Sequence, residues 1–220
     1  MFKEENQMSL SLSELRKEYA LKSLNKKDVD QDPFKQFTTW FEEAKASISG
    51  EPNAMIISTS GADAKPSSRV VLLKGFSSDG FLFFTNYLSR KGNELLLNPH
   101  AALLFFWGEL ERQIRIEGSV EKISREESQK YFLSRPRASQ ISALASEQSK
   151  SVESREILEE KFRQLENAFG EKEIPCPEQW GGYIVKPNYF EFWQGRRSRL
   201  HDRISYTSET GAWKTERLSP

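Results

Sequence analysis

Apolar side chains recur at Phe34, Phe37, Phe41, Ala44 and Ile48, the three-and-four spacing of one helix face. Asp32-Pro33 just ahead supplies an N-cap and a first-turn proline, so the spacing predicts a helix with a core-facing stripe. From residue 54 the texture changes to strands. Ala54–Ser60, Arg69–Phe76, Phe81–Thr85 and Ala101–Trp107 are short β-branched or aromatic runs, parted by turn material such as Ser77-Ser78-Asp79-Gly80. Gln113–Ile123 alternates, with Ile114, Ile116 and Val120 on one face and Arg115, Glu117 and Glu121 on the other, as in a strand with one wet face. A helix follows over Arg125–Leu133, breaks at Pro136 and restarts over Ser139–Ala145, and a longer one covers Val152–Phe169. Gly182–Lys186, Tyr189–Gln194, His201–Thr207 and Ala212–Leu218 read as strands, the last two joined by a hairpin turn at Glu209-Thr210-Gly211.

The order is helix, five strands, helices, strands. It lacks βαβ alternation and any G-x-G-x-x-G or P-loop pattern, which argues against a dinucleotide-binding or nucleotide-hydrolysing fold. The expected class is mostly β with peripheral helices (α+β): an antiparallel barrel with helices outside it. Residues 32–220 are expected to form a single domain, and residues 1–31, polar with a short helix around Leu12–Leu21, a flexible leader.

Composition narrows the function. The 220 residues hold 32 Lys plus Arg against 32 Asp plus Glu, too balanced for a nucleic-acid coat or a polybasic membrane binder. One cysteine and two histidines rule out an intrachain disulfide and a Cys/His zinc site, and no metal is expected. The N-terminus lacks a signal peptide's apolar core, and the longest apolar run, Ala101–Trp107, is far short of the ~20 residues of a span. A cytoplasmic protein is expected.

Cations nevertheless sit where the pattern asks for apolar or turn residues. Arg69 and Lys74 bracket a buried-looking strand, which also suits snorkelling strand ends. Thr85, Ser89, Arg90 and Lys91 gather hydroxyls and cations at a helix start, a natural phosphate seat. Tyr131, Arg135 and Ser139 flank Pro136 and describe a second seat, with Ser139 capping the following helix. Gly195–Arg203 carries four Arg against one Asp, and alternation would point Arg199, His201 and Arg203 the same way. Such a face needs an anionic partner, a ligand or a carboxylate cluster, though RNA binding by Arg with Trp193 also fits.

The run Glu191-Phe-Trp-Gln-x4-Arg-Leu-His-Asp-Arg203 resembles the C-terminal signature of the pyridoxine (pyridoxamine) 5′-phosphate oxidase family. Arg69–Lys74, Phe84-Thr85-Asn86 with Ser89-Arg90-Lys91, Glu111-Arg112-Gln113, the block from Tyr131 to Arg137, Ser139-Gln140 and Gln148-Ser149 match in order, from about Leu15 to the C-terminus.

The resemblance implies an FMN-binding split antiparallel β-barrel and a homodimer with shared active sites. It implies oxidation of pyridoxamine and pyridoxine 5′-phosphates to pyridoxal 5′-phosphate by oxygen, yielding hydrogen peroxide. FMN contacts are implied for Arg69, Val70, Val71, Leu72, Leu73, Lys74, Phe84, Thr85, Arg90, Lys91 and Gln113, with Gln148, Ser149, Trp193 and Arg203 supplied by the partner subunit. The substrate phosphate is implied among Lys74, Tyr131, Arg135 and Ser139, with Arg199 and His201 at its ring as the catalytic pair. Arg16 and Tyr19 would fold over it as a lid. Phe84 departs from the tyrosine of many relatives, Ala138 from an acidic residue of some, and Arg196-Arg197 from the usual spacer. A non-catalytic flavin-binding barrel and an RNA-binding barrel are the rival readings.

Overall fold

A computed structural model describes residues 18–220. Nine strands form one antiparallel sheet in the order β2-β1-β5-β6-β7-β4-β3, with β8 on β7 and β9 on β8. They are β1 (Ala54–Ser60), β2 (Pro66–Leu72), β3 (Gly75–Ser77), β4 (Gly80–Asn86), β5 (His100–Trp107), β6 (Arg112–Lys122), β7 (Trp180–Gln194), β8 (Asp202–Glu209) and β9 (Ala212–Leu218). The helices are α1 (Pro33–Ser47), α2 (Arg90–Leu97), α3 (Arg125–Ser134), α4 (Arg137–Ala145) and α5 (Arg155–Phe169). The sheet curls into a half-barrel, and none of the helices is long and apolar enough to cross a membrane among the described residues.

Local chemistry sets most boundaries. The Asp32 carboxylate caps α1 by accepting from Phe34 N at 2.9 Å. Phe37 and Ala44 are fully buried, and Phe37 packs edge-on against Phe81 and Phe105 in the half-barrel core. Ser124 and Glu127 form a reciprocal capping box at α3. Thr210 and Gly211 take φ 48° and 86°, the paired left-handed residues of a two-residue hairpin turn between β8 and β9.

Four expectations are corrected. The strand expected over Arg69–Phe76 begins at Pro66 and stops at Leu72. There the chain changes partners: Leu73 N–H donates to Asn53 O and Lys74 N–H to Leu82 O, turning Leu73 into the core at 4% exposed. The strands expected over Gly182–Lys186 and Tyr189–Gln194 are one strand, β7. A register shift beside Glu117 and Gly118 absorbs Asn188, and Pro187, which has no N–H to give, sits at that irregularity. Helix α4 starts at Arg137 rather than Ser139, because Arg135, ahead of Pro136, is held extended and Pro136 itself takes the cap position. Helix α5 begins three residues later than expected, at Arg155.

Of the leader, the helix read around Leu12–Leu21 lies mostly outside the described residues, and residues 18–21 are not helical. From Tyr19 onward the chain is tied down. Ala20 and Leu21 N–H donate to the buried Glu111 carboxylate at 2.8 and 3.0 Å, and Leu24, 5% exposed, donates to Asp202.

Candidate active site

A cleft of about 680 Å³ opens between β2, β4, α2, α3 and the chain after α4. Arg69, Val70, Val71, Leu72 and Lys74 line it from β2 and the bend beyond. Phe84, Thr85, Arg90 and Lys91 come from β4 and α2, Tyr131 and Arg135 from α3 and its end, Gln148 and Ser149 from the loop after α4. Leu73 is not among the lining, because the bend that exposes Lys74 buries it. Ser139 is half-buried in the first turn of α4, off the lining, and does not cap that helix.

One part of the cleft is aromatic. The Phe84 ring stacks on Tyr131 at 3.9 Å and on Trp180 at 5.4 Å. The Arg135 guanidinium lies 4.8 Å from the Trp180 ring centre. Arg135 ends α3 in an extended conformation. Its Nη1 is buried without a hydrogen-bond partner among the described residues, and burial pushes the guanidinium pKa down. A buried donor left unpaired is costly, so the site suits an anion that would take that nitrogen's bond.

The other part is cationic. Ser89 caps α2 and accepts from Gly92 N at 3.3 Å. Lys91 is thereby turned inward, 5% exposed, with its Nζ donating to Thr85 Oγ1 at 3.0 Å and, at 3.4 Å, to Ser89 Oγ and Gln148 Oε1. Among the described residues no carboxylate lies within ion-pair distance of it. Burial, with the Arg69 charge adding to it and Glu94 opposing, pushes its pKa down to about 8. Arg90 Nε donates to Glu94 at 2.8 Å. Sequence reasoning passed over Glu94; its position one helical turn beyond Arg90 was the available signal. Burial alone would raise its carboxyl, but hydrogen bonds from Thr59, Ser67 and Arg90 and the charge of Arg69 bring it down to about 2.

A second group lies elsewhere. Gln113, Trp193 and Arg203 are register partners across β6, β7 and β8 and so share one face. Tyr19 meets Trp193 edge-on at 5.7 Å, and the His201 ring lies 4.7 Å from Trp193. A Cβ on Gly195 would come within 2.7 Å of Tyr19, so only glycine lets that ring settle. Arg16 lies outside the described residues.

The alternation expected for Arg199, His201 and Arg203 is absent, since β8 begins at Asp202. Ser198 and Arg199 both take left-handed conformations, φ 56° and 59°, in a tight turn. Arg196 N–H closes it by donating to His201 Nδ1 at 3.1 Å, which leaves the neutral ring's proton on Nε2. Burial, then the Arg199 charge, lowers the His201 pKa, and Arg199 itself is exposed. Arg196 also donates to Lys22 O at 3.1 Å, which gives that departure from the family spacing a structural use; nothing in the structure explains Arg197. The anionic partner of Arg203 is Glu191, 2% exposed, which accepts from its Nε and Nη2 at 2.8 and 3.0 Å.

The structure therefore groups the residues differently from the expectation. Gln148 and Ser149 belong to the same chain's cleft, and Gln113 joins Trp193. Neither Tyr19, Trp193, Arg199, His201 nor Arg203 lines the cleft. Strand β7 carries Trp180 in the cleft and Trp193 in the second group, a path of about 40 Å at the usual rise of an extended strand.

Residues 41–168 match the family model described as pyridoxamine 5′-phosphate oxidase, and residues 180–220 that of the pyridoxine 5′-phosphate oxidase C-terminal dimerisation region. A curated relative from Cyanothece sp., named pyridoxine/pyridoxamine 5′-phosphate oxidase, is 51% identical over 213 residues, covering 97% of this chain and 100% of its own. One of the same name from Paraburkholderia phymatum is 56% identical over 211 residues, covering 96% and 99%. The crystal structure of PhzG from Burkholderia lata, in complex with tetrahydrophenazine-1-carboxylic acid, is similar at TM-score 0.86 and 30% identity, covering 93% of this chain and 100% of that one. A pyridoxamine 5′-phosphate oxidase-related, FMN-binding protein from Nostoc punctiforme shares the fold at TM-score 0.68 and 15% identity, covering 86% and 98%. With both family regions matched in order over a split barrel, the chain belongs to the pyridoxine/pyridoxamine 5′-phosphate oxidase family of oxidoreductases.

Proposed function

We propose that this chain oxidises pyridoxamine 5′-phosphate and pyridoxine 5′-phosphate to pyridoxal 5′-phosphate, with FMN as cofactor and oxygen as acceptor. The observation that carries this is a pair of cations in one aromatic cleft: among the described residues, Lys91 has no carboxylate partner and Arg135 has an orphaned nitrogen. Two separate cationic seats suit two phosphates, one on the cofactor and one on the vitamer.

Lys91, Arg90, Arg69 and Thr85 hold the cofactor phosphate, with Val70 to Leu72 and Phe84 along its ring and Gln148 and Ser149 beside it. Lys74, Tyr131 and Arg135 hold the substrate phosphate; Ser139, which the resemblance also implies, would have to turn in from the first turn of α4. When bound, FMN supplies the two-electron acceptor, and oxygen takes the electrons on to hydrogen peroxide. The protein's task is to hold a small flat ring against the flavin, and a multidentate phosphate grip does that.

Gln113, Trp193, Arg199, His201 and Arg203 complete the site from a second copy of the chain. The matched dimerisation region contains Trp193 to Arg203, and a wet sheet face joins the two groups. Along it, Val70, Ile56, Leu104 and Arg115 run in register, with Val70 66% and Phe106 59% exposed. His201, neutral and with Nε2–H to offer, orients the substrate rather than taking its proton. Tyr19, beside Trp193 and His201, covers the ring as a lid on the barrel formed by residues 32–220.

Anaerobic mixing of FMN-loaded protein with each phosphate ester should bleach the flavin absorbance, and admitting air should release peroxide. Protein that stays colourless with FMN would reject the reading. Yellow protein that no ester bleaches would leave a flavin-binding module. Bleaching by tetrahydrophenazine-1-carboxylic acid, the compound bound in the PhzG crystal, and by neither ester would overturn the ester assignment.

A further inference from the structure

Glu94 is a carboxylate set beneath the cationic rim of the cleft, where an anion-binding site has no evident need of one. Its side chain is 11% exposed. Thr59 Oγ1 donates to it at 2.5 Å, Ser67 Oγ at 2.7 and 2.9 Å, and Arg90 Nε at 2.8 Å, while Arg69 Nη2 lies at 3.4 Å. Thr59 and Ser67 face each other across β1 and β2. Arg69 donates to both, at 2.6 Å to Thr59 Oγ1 and by a short bond to Ser67. One carboxylate thus ties two strands and a helix to both arginines. Arg90 spends only Nε on it, and its terminal nitrogens make no hydrogen bond among the described residues.

We infer that Glu94 is a positioning residue for the cofactor phosphate: it aims Arg69 and Arg90 so that their guanidinium groups meet that phosphate together. The inference rests on the FMN reading above. Without the carboxylate, Arg69, Arg90 and Lys91 crowd three cations at one rim, and Arg90, 60% exposed, has no other side-chain bond among the described residues to hold it there. A competing effect has the opposite sign. A negative charge close to a phosphate repels it, so simple removal of that charge would tighten binding. The direction of the change therefore separates aiming from charge.

The experiment titrates cofactor-free protein with FMN and with riboflavin, which has the same ring but no phosphate, following flavin fluorescence. Glu94→Gln is expected to weaken FMN by about tenfold. Riboflavin affinity should stay at its wild-type value, while the melting temperature of the cofactor-free protein falls by a few degrees, because the variant gives up the charge that ties β1, β2 and α2 together. Glu94→Asp keeps the charge but withdraws it by one methylene, and should weaken FMN as well. In an Arg90→Gln background the Glu94→Gln change should add much less than it does alone. FMN binding that is unchanged or tighter in both Glu94 variants overturns the inference. So does joint loss of FMN and riboflavin, which is the mark of a merely structural residue. If Glu94→Gln does not fold, Glu94→Asp decides. Wild-type protein that binds riboflavin and FMN equally would overturn the phosphate seat itself.

Discussion

Lys91 is buried among hydroxyls, and its pKa of about 8 gives cofactor retention a pH dependence. Below that value the ammonium is charged and can meet a phosphate; above it the charge is lost. FMN affinity should therefore fall as pH rises through about 8, and Lys91→Met should remove the inflection, as fluorescence titrations from neutral to alkaline pH would show. Stability of the cofactor-free chain runs the other way. An unfolded lysine keeps its proton up to the ordinary value of 10.5, so between the two values the unfolded state binds more protons and folding stability rises with pH. Arg135 predicts a similar divergence of function and stability. Arg135→Met should raise KM for the phosphate ester by about tenfold, because a charge-assisted bond is lost. FMN affinity should hold. The cofactor-free melting temperature should hold or rise, since an unpaired buried donor costs about 1–3 kcal/mol. Binding titrations and thermal unfolding of one preparation check all three.

At the scale of elements, the leader and the β7–β8 turn are joined through one missing methyl. Gly195→Ala is backbone-compatible but drives a carbon into Tyr19, so the ring must leave Trp193 and His201. The expected outcome is a higher KM for substrate with unaltered FMN affinity, read from steady-state kinetics beside a flavin titration. Elements whose ends are set by adjacent residues were legible in the sequence: α1 from Asp32-Pro33, α2 from Ser89, and β1 at both ends. Of those that differed, β2 and β7 depend on distant chain. Leu73 turns inward because Asn53 and Leu82 take over its surroundings, and β7 stays continuous because β6 shifts register opposite Pro187. Glu191 was read only as part of a family motif, since nothing in its neighbours announces that Arg203 will fold back on it. His201 lost its strand placement to a turn closed by Arg196, an arginine that spacing alone left without a role.

For the whole molecule, the two residue groups predict complementation between chains. Assayed at substrate levels well below the wild-type KM, Arg135→Ala and Arg199→Ala homodimers should each show only a small fraction of wild-type turnover. Unfolding and refolding them together should restore about a quarter of wild-type turnover, since half the dimers are mixed and each mixed dimer has one intact site. Recovery that never exceeds the separate variants would confine the site to a single chain. Sequence carried the residue types of both groups, but their separation is set by the reach of β7. That reach has a kinetic corollary. If one polypeptide cannot bring its own Trp193 to its own Trp180, turnover per chain becomes a function of protein concentration. Dilution past the association midpoint should switch the enzyme off even while each separated chain keeps an intact cationic cleft, and concentrating it again should switch it back on.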